Sequence, residues 1–188
     1  MAIAAVHDRV EPSDWVVRFA PAIPAGGRVL DVACGQGRHA RYLRDLGHSV
    51  VALDRDTAAL ASLEGESGIE ILCADIESGG WPFAPRSFDA LVVTNYLHRP
   101  LFPSLIAALR PGGVLIYETF ARGNERYGRP ANPDFLLAPG ELLDQLRGAL
   151  WVAAYEHGIV NRPKPAVIQR VCAVLEDTFL YTLQPPED

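Results

Sequence analysis

Residues Arg28–Ala40, RVLDVACGQGRHA, constrain this chain more than any other stretch. Val29 to Ala33 reads as a buried strand, Gly35 and Gly37 as a tight turn, and the residues after them as the first turn of a helix. Asp31 stands inside the apolar strand, where a lone carboxylate is costly unless something there needs it. Glycine lets the backbone turn sharply and approach a ligand with no Cβ in the way. The start of the helix points free N–H groups back at the turn. Such a strand, turn and helix make a docking point for a small polar cofactor at the carboxyl end of a strand, where open α/β sheets bind ligands.

The rest of the chain repeats the alternation. Ser13 and Asp14 cap a short helix over Trp15 to Ala20. Beyond the glycine turn the pattern predicts a helix over Arg38 to Leu46, a strand over Ser49 to Leu53 that ends at Asp54, and a helix over Thr57 to Leu63. Strands follow at Ile69 to Cys73, Phe88 to Thr94 and Val114 to Thr119, with a helix over Leu101 to Leu109 before Pro111-Gly112-Gly113. An irregular loop, Phe120 to Pro139, leads to a helix over Glu141 to Gly148. Two late strands, Trp151 to Glu156 and Val171 to Glu176, are separated by His157 to Arg170 with no helical pattern between them. Alternation of this kind means a doubly wound, mostly parallel sheet with helices on both faces. The loop-joined last pair adds an antiparallel edge strand, making seven strands in one domain over 1–188. Residues 1–12 read as a loose leader, and 120–139 as a lid-like loop.

Composition narrows the partners. The chain has 188 residues, 49% hydrophobic and 21% charged, enough for one well-buried core. A net charge of −6 argues against a nucleic-acid backbone as the main partner. Cys34, Cys73 and Cys172 are scattered, with no CxxC pair and no disulfide framework, so no metal site is expected and a cytoplasmic location fits. No signal-peptide pattern and no long apolar span is present.

Acids recur at successive strand ends: Asp31, Asp54 and Asp75. Asp54 stands about 20 residues beyond the turn, the spacing at which an acid meets ribose hydroxyls. Asp75 is placed to approach the exocyclic amine of an adenine, with Trp81 and Phe83 close behind for a flat ring. Taken together, DVACGQGRHA, ALDRD, LCADIE, VVTNYLH and LRPGGVLIYETF resemble the class I S-adenosylmethionine-dependent methyltransferases, in order over about residues 15 to 180. CGQGRHARYLRDLGHSVVALDRD and FLLAPGELLDQLRG are most similar to the short tellurite-resistance methyltransferase-like group.

The resemblance implies a Rossmann-like fold and S-adenosylmethionine as cofactor. It implies that Asp31, Gly35 and Gly37 hold the amino-acid end, that Asp54 holds the ribose and that Arg55 flanks the adenine. Asp75 and the backbone of Ile76 read the adenine amine, Asn95 faces the methionine part, and Tyr96 and His98 line the methyl-transfer side. A base is needed only where the acceptor must lose a proton; His98 is the candidate, with Glu118 a second. Arg126, Tyr127 and Arg129 give the 120–139 loop a basic and aromatic character suited to an anionic acceptor, and Arg162, Lys164 and Arg170 stand near the late strands. The acceptor expected is a small molecule; the oligomeric state is open, a monomer included. Two other readings stay open. Gly35, Gly37 and Ala40 also fit a nicotinamide-binding turn, although Asp31 would repel a pyrophosphate. The same fold also serves non-catalytic cofactor binders that act as regulators or partner subunits.

Overall fold

Strands β1 (Arg28–Val32), β2 (Ser49–Asp54) and β4 (Phe88–Thr94) are runs of Val, Leu and Ala with almost no exposed position. Segments of that kind are stable only in the middle of a sheet covered on both faces. The computed structural model, which describes residues 11–162 and 164–175, places them there. With β3 (Ile69–Cys73), β5 (Leu109–Phe120), β6 (Trp151–Val160) and β7 (Ala166–Val174), the sheet among the described residues runs β3-β2-β1-β4-β5-β7-β6. β1 to β5 are mutually parallel. β7 is antiparallel to both β5 and β6, which puts the reversed strand one place in from the edge and β6 outermost. The order turns about β1 and β4, and the crevice over their carboxyl ends is where such sheets take ligands.

Strand alternation sorts the core into two layers. Leu30, Val32, Leu53, Leu91 and Val93 face α4 (Phe102–Ala108) and α5 (Glu141–Leu146). Val29, Val50, Ala52, Ala90 and Val92 face α1 (Asp14–Phe19), α2 (Arg38–Asp45) and α3 (Thr57–Leu60). Ser13 caps α1 by accepting the Trp15 amide hydrogen, and the Trp15 indole N–H donates to the Val171 carbonyl at 3.1 Å, tying this helix to β7.

Several boundaries differ from expectation. The late strands are longer, spanning Trp151–Val160 and Ala166–Val174, so five residues separate them where the sequence suggests a long loop. Gly158 and the polar Gln169 and Arg170 break the apolar alternation, but the ladder runs from Trp151↔Val174 to Val160↔Ala166 regardless. β5 begins at Leu109 and takes in the Pro111-Gly112-Gly113 turn, and the helix before it ends at Ala108. The helix over Thr57 tightens into a 3₁₀ turn at Ala61–Leu63. Of the expected leader, residues 1–10 lie outside the described residues, as does Glu176 at the end of the last strand.

Gly37 shows why the turn is built as it is. Its φ is +76°, and a Cβ there would lie 2.5 Å from the Leu63 Cδ2. Gly37→Ala is therefore expected to destabilise the fold by about 2–4 kcal/mol, left-handed strain plus overpacking. A urea midpoint within error of the unsubstituted protein would contradict this.

Candidate functional site

A cavity of about 710 Å³ opens over the carboxyl ends of the parallel strands, large enough for a nucleoside-sized ligand with room to spare. Ala33 and Cys34 line it from the β1 turn, Asp54 and Arg55 from the end of β2, and Asp75, Ile76 and Glu77 from beyond β3. Asn95 and Tyr96 follow β4, and Thr119 and Phe120 end β5. Arg129, Pro130 and Phe135 reach it from the loop after β5, and Lys164 from the β6–β7 turn. Two lining residues hold left-handed backbone without being glycine: Ala33 at φ 53° and Asn95 at φ 56°. That conformation is uncommon outside glycine and gathers at ligand sites.

Asp31 lies on the α2 side of the sheet, paired across to Ala52 and Val92. It is 1% exposed, and neither carboxylate oxygen accepts a hydrogen bond from any described residue. Burial pushes its pKa up to about 7, against the opposing pull of the Ala40 amide and the Arg38 charge. Asp54 is held differently. One oxygen accepts the Gly35 amide hydrogen at 2.7 Å and the other the Asp56 amide hydrogen at 2.9 Å, which clamps the turn to β2. Asp75 accepts from the Ser78 hydroxyl and from the Glu77 and Ser78 amides, and these bonds hold its carboxyl below the usual range. The Tyr96 hydroxyl is buried with no bonding partner among the described residues; burial, then the Glu77 charge, raises its pKa. The Tyr96 carbonyl accepts the Tyr117 hydroxyl hydrogen at 2.8 Å.

A buried histidine joins α1 to this site. His39 Nε2 accepts the Ser13 amide hydrogen at 3.1 Å, and Nδ1 lies 3.4 Å from the hydroxyl of Thr94, a lining residue. Burial lowers its pKa to about 3, so it is neutral at ordinary pH.

Of the residues singled out in the sequence, Asp54, Arg55, Asp75, Ile76, Asn95, Tyr96, Arg129 and Lys164 line this cavity. Asp31 within β1 and the turn glycines Gly35 and Gly37 do not line it. Neither does His98, which is half-buried and precedes the 3₁₀ turn Arg99–Leu101, nor do the exposed Arg126 and Tyr127. Glu118 is engaged by the Ser13 hydroxyl at 2.8 Å and by Arg170 at 3.3 Å. Trp81 and Phe83 pack edge-to-face on each other and on toward Phe88, as core and not as a cavity wall. Thr94, Phe135 and the cavity face of Cys34 were not legible as site residues, because nothing local distinguishes them from core or loop.

Residues 29–113 match the methyltransferase-domain family. In this stretch the chain is similar to the class I S-adenosylmethionine-dependent methyltransferases. A malonyl-[acyl-carrier protein] O-methyltransferase from Pseudescherichia vulneris is 36% identical over 51% of this chain and 40% of its own length. A tRNA U34 carboxymethyltransferase from Methylococcus capsulatus is 32% identical over 66% of this chain and 44% of its own. The chain thus spans less than half the length of these curated relatives. TehB from Haemophilus influenzae shares the fold, with a TM-score of 0.72 at 20% identity over 85% of this chain and 61% of TehB. No helix among the described residues is long and apolar enough to cross a membrane.

Proposed function

We propose that this chain transfers the methyl group of S-adenosylmethionine to a small-molecule acceptor. The observation that carries the reading is Asp31: a fully buried carboxylate in the strand that leads into the glycine turn, with burial outweighing the pull of the Ala40 amide and the Arg38 charge. A buried carboxylate favours a cationic ligand and disfavours a pyrophosphate. S-adenosylmethionine carries two cations, the ammonium and the sulfonium; a nicotinamide dinucleotide brings a dianionic bridge to the same turn.

The donor set suits the group along its length. Asp31, with the Gly35–Gly37 turn, would hold the amino-acid end, and the Asn95 carbonyl would face it from β4. Asp54 would receive the ribose hydroxyls, Asp75 and the Ile76 amide the adenine amine, and Arg55 would flank the ring. Tyr96 would line the transfer side. When bound, S-adenosylmethionine supplies an electrophilic methyl carbon whose bond to sulfur breaks as the acceptor's lone pair attacks, leaving a neutral thioether. The protein's part is to position the acceptor and exclude water. With His98 outside the cavity lining and Glu118 engaged in an ion pair, the reading uses no general base from either; an acceptor proton passes to solvent or is lost before binding.

The matched relatives are named for acceptors as different as an acyl-carrier thioester and a tRNA uridine, so the acceptor of this chain is a question for its own cavity. The acidic balance and enclosed volume favour a small molecule, and the free cysteines fit a cytoplasmic location. Calorimetric titration with S-adenosylhomocysteine should give micromolar binding, with NADH silent. Binding of NADH in its place would remove the reading.

A further inference from the structure

The hydrogen bonds around His39 have a direction. Burial keeps the imidazole neutral, and a neutral ring carries one N–H and one lone pair. Nε2 accepts the Ser13 amide hydrogen at 3.1 Å, so the lone pair is on that nitrogen and the ring hydrogen is on Nδ1. The group that faces Nδ1, at 3.4 Å, is the Thr94 hydroxyl. In that contact the hydroxyl oxygen is therefore the acceptor, and its own hydrogen points elsewhere. Ser13 fixes the other end of the chain: its hydroxyl accepts the Trp15 amide hydrogen and donates to Glu118.

The neighbouring acids do not take the Thr94 hydrogen. Glu118 stands across the ladder from Thr94, but one of its oxygens accepts from Ser13 at 2.8 Å and the other from Arg170 at 3.3 Å. Asp31 is paired across to Val92, so Thr94 lies two residues further along β4 on the same face of the sheet, and the Asp31 carboxylate does not accept from it either. What Thr94 does meet is the cavity, which it lines from the last position of β4. Asn95 follows in left-handed backbone and donates its amide hydrogen to the Glu118 carbonyl at 2.9 Å, which fixes that lip of the cavity in place.

We infer that Thr94 donates its hydroxyl hydrogen to the carboxylate of the cofactor's amino-acid end, with His39 as the positioning residue that turns the hydroxyl toward it. The inference rests on the methyltransferase reading and adds to it the group that receives this carboxylate. An amino acid carries its ammonium and its carboxylate on one carbon. With the ammonium drawn to Asp31, the carboxylate falls close by, and the donor on that face of the sheet is Thr94. A carboxylate accepts and cannot donate, so it needs a hydroxyl whose hydrogen faces it. Bonds to an ionised acceptor are also the stronger kind. A free hydroxyl would have to be ordered on binding; the Nδ1 hydrogen orders this one beforehand.

The test is calorimetric titration with two ligands, S-adenosylhomocysteine and 5′-deoxy-5′-(3-aminopropylthio)adenosine, the same molecule without its carboxylate. The unsubstituted protein should prefer S-adenosylhomocysteine by about tenfold or more. Thr94→Val should bind S-adenosylhomocysteine about tenfold less well and the two ligands nearly alike. Thr94→Ser keeps the hydroxyl and should keep the preference. For His39 the readout is again the ratio between the ligands, because a merely structural loss lowers both together. His39→Met removes donor and acceptor and should shrink the preference by about threefold to tenfold. His39→Gln offers one of each and should restore most of it.

Equal binding of the two ligands by the unsubstituted protein overturns the inference without any variant. So does a Thr94→Val protein that keeps the full preference; the carboxylate is then held elsewhere, as by Arg38, which lines the cavity from the start of α2. A preference left whole in His39→Met overturns the positioning role. In each of these cases the cofactor reading stands. Failure of S-adenosylhomocysteine to bind the unsubstituted protein overturns both.

Discussion

Asparagine in place of Asp31 is expected to give a protein that melts higher and binds its cofactor far more weakly. Burial places the Asp31 pKa near 7, where an unfolded aspartate titrates near 3.8. The folded state therefore holds this proton more tightly, and stability falls as pH rises from about 4 to about 7, by at most about 1.4 kcal/mol per unit. At pH 8 the ionised carboxylate costs about 2–4 kcal/mol that a neutral amide does not incur. Part of the gain goes to the amide's own unmet hydrogen bonds, leaving a net stabilisation of about 1–3 kcal/mol, or a rise of roughly 2–12 °C. Cofactor affinity moves the other way. Loss of the only buried charge beneath the turn among the described residues should weaken S-adenosylhomocysteine by about 30- to 1000-fold.

His39 makes the pH experiment sharper. Its folded pKa, near 3, lies below the 6.5 of a free histidine, so the unfolded chain binds more protons and stability rises with pH between those values. From about pH 4 to 6.5 the two buried groups therefore act with opposite signs and similar slopes. The unsubstituted protein should show a nearly level stability across that window. Asp31→Asn should uncover the histidine's acid-side loss, seen as a urea midpoint that drops steadily below pH 6.5. A level profile in the variant would mean that one of these two groups is not buried as described. Binding carries the same linkage. A cationic ligand draws Asp31 into its ionised form, so below pH 7 affinity should fall by about tenfold per unit with release of one proton. Calorimetry in buffers of different ionisation enthalpy reads that proton directly.

The sequence pattern carries as much as it does because the constraints on this half of the fold are local. A strand buried on both faces, a turn that demands glycine and an acid that ends the next strand are all written within a few residues of one another. That is why Asp54, Asp75 and Asn95 could be assigned to one sheet edge before any coordinates. The end of the cavity beyond β5 is assembled otherwise. Asn124 bridges to Pro130 and Val167, and Arg99 reaches Glu141 and the carbonyls around Phe135. Those partners lie up to tens of residues apart with no periodicity to betray them. Arg126, Tyr127 and Arg129 looked equivalent in sequence, yet only Arg129 lines the cavity, because the anchoring by Asn124 fixes Pro130 and lets the earlier residues face solvent. The late hairpin was under-read for a related reason: pairing over the length of β7 sustains β6 through Gly158, where propensity alone would stop it.

Asp54→Ala should be the most damaging change on the cavity surface, because in the proposed reading this carboxylate serves the fold and the ligand with different lone pairs. A carboxylate offers about four acceptor positions. Two are used by the Gly35 and Asp56 amides, at 2.7 and 2.9 Å, which leaves two, the number a vicinal diol requires. Alanine leaves both amides without a partner, at about 1–3 kcal/mol of stability. It also removes the acceptor for both hydroxyls, at about 2–3 kcal/mol or roughly 30- to 150-fold in affinity. Asparagine does not restore the site, since its NH₂ must face either one of the two amides or the diol, donor against donor at an amide. The two roles separate with the 2′-deoxy analogue of S-adenosylhomocysteine. The unsubstituted protein should bind it about tenfold less well than the parent compound, whereas Asp54→Ala should bind the two alike. If the variant still discriminates between them, the ribose is held elsewhere and Asp54 is a clamp on the turn alone.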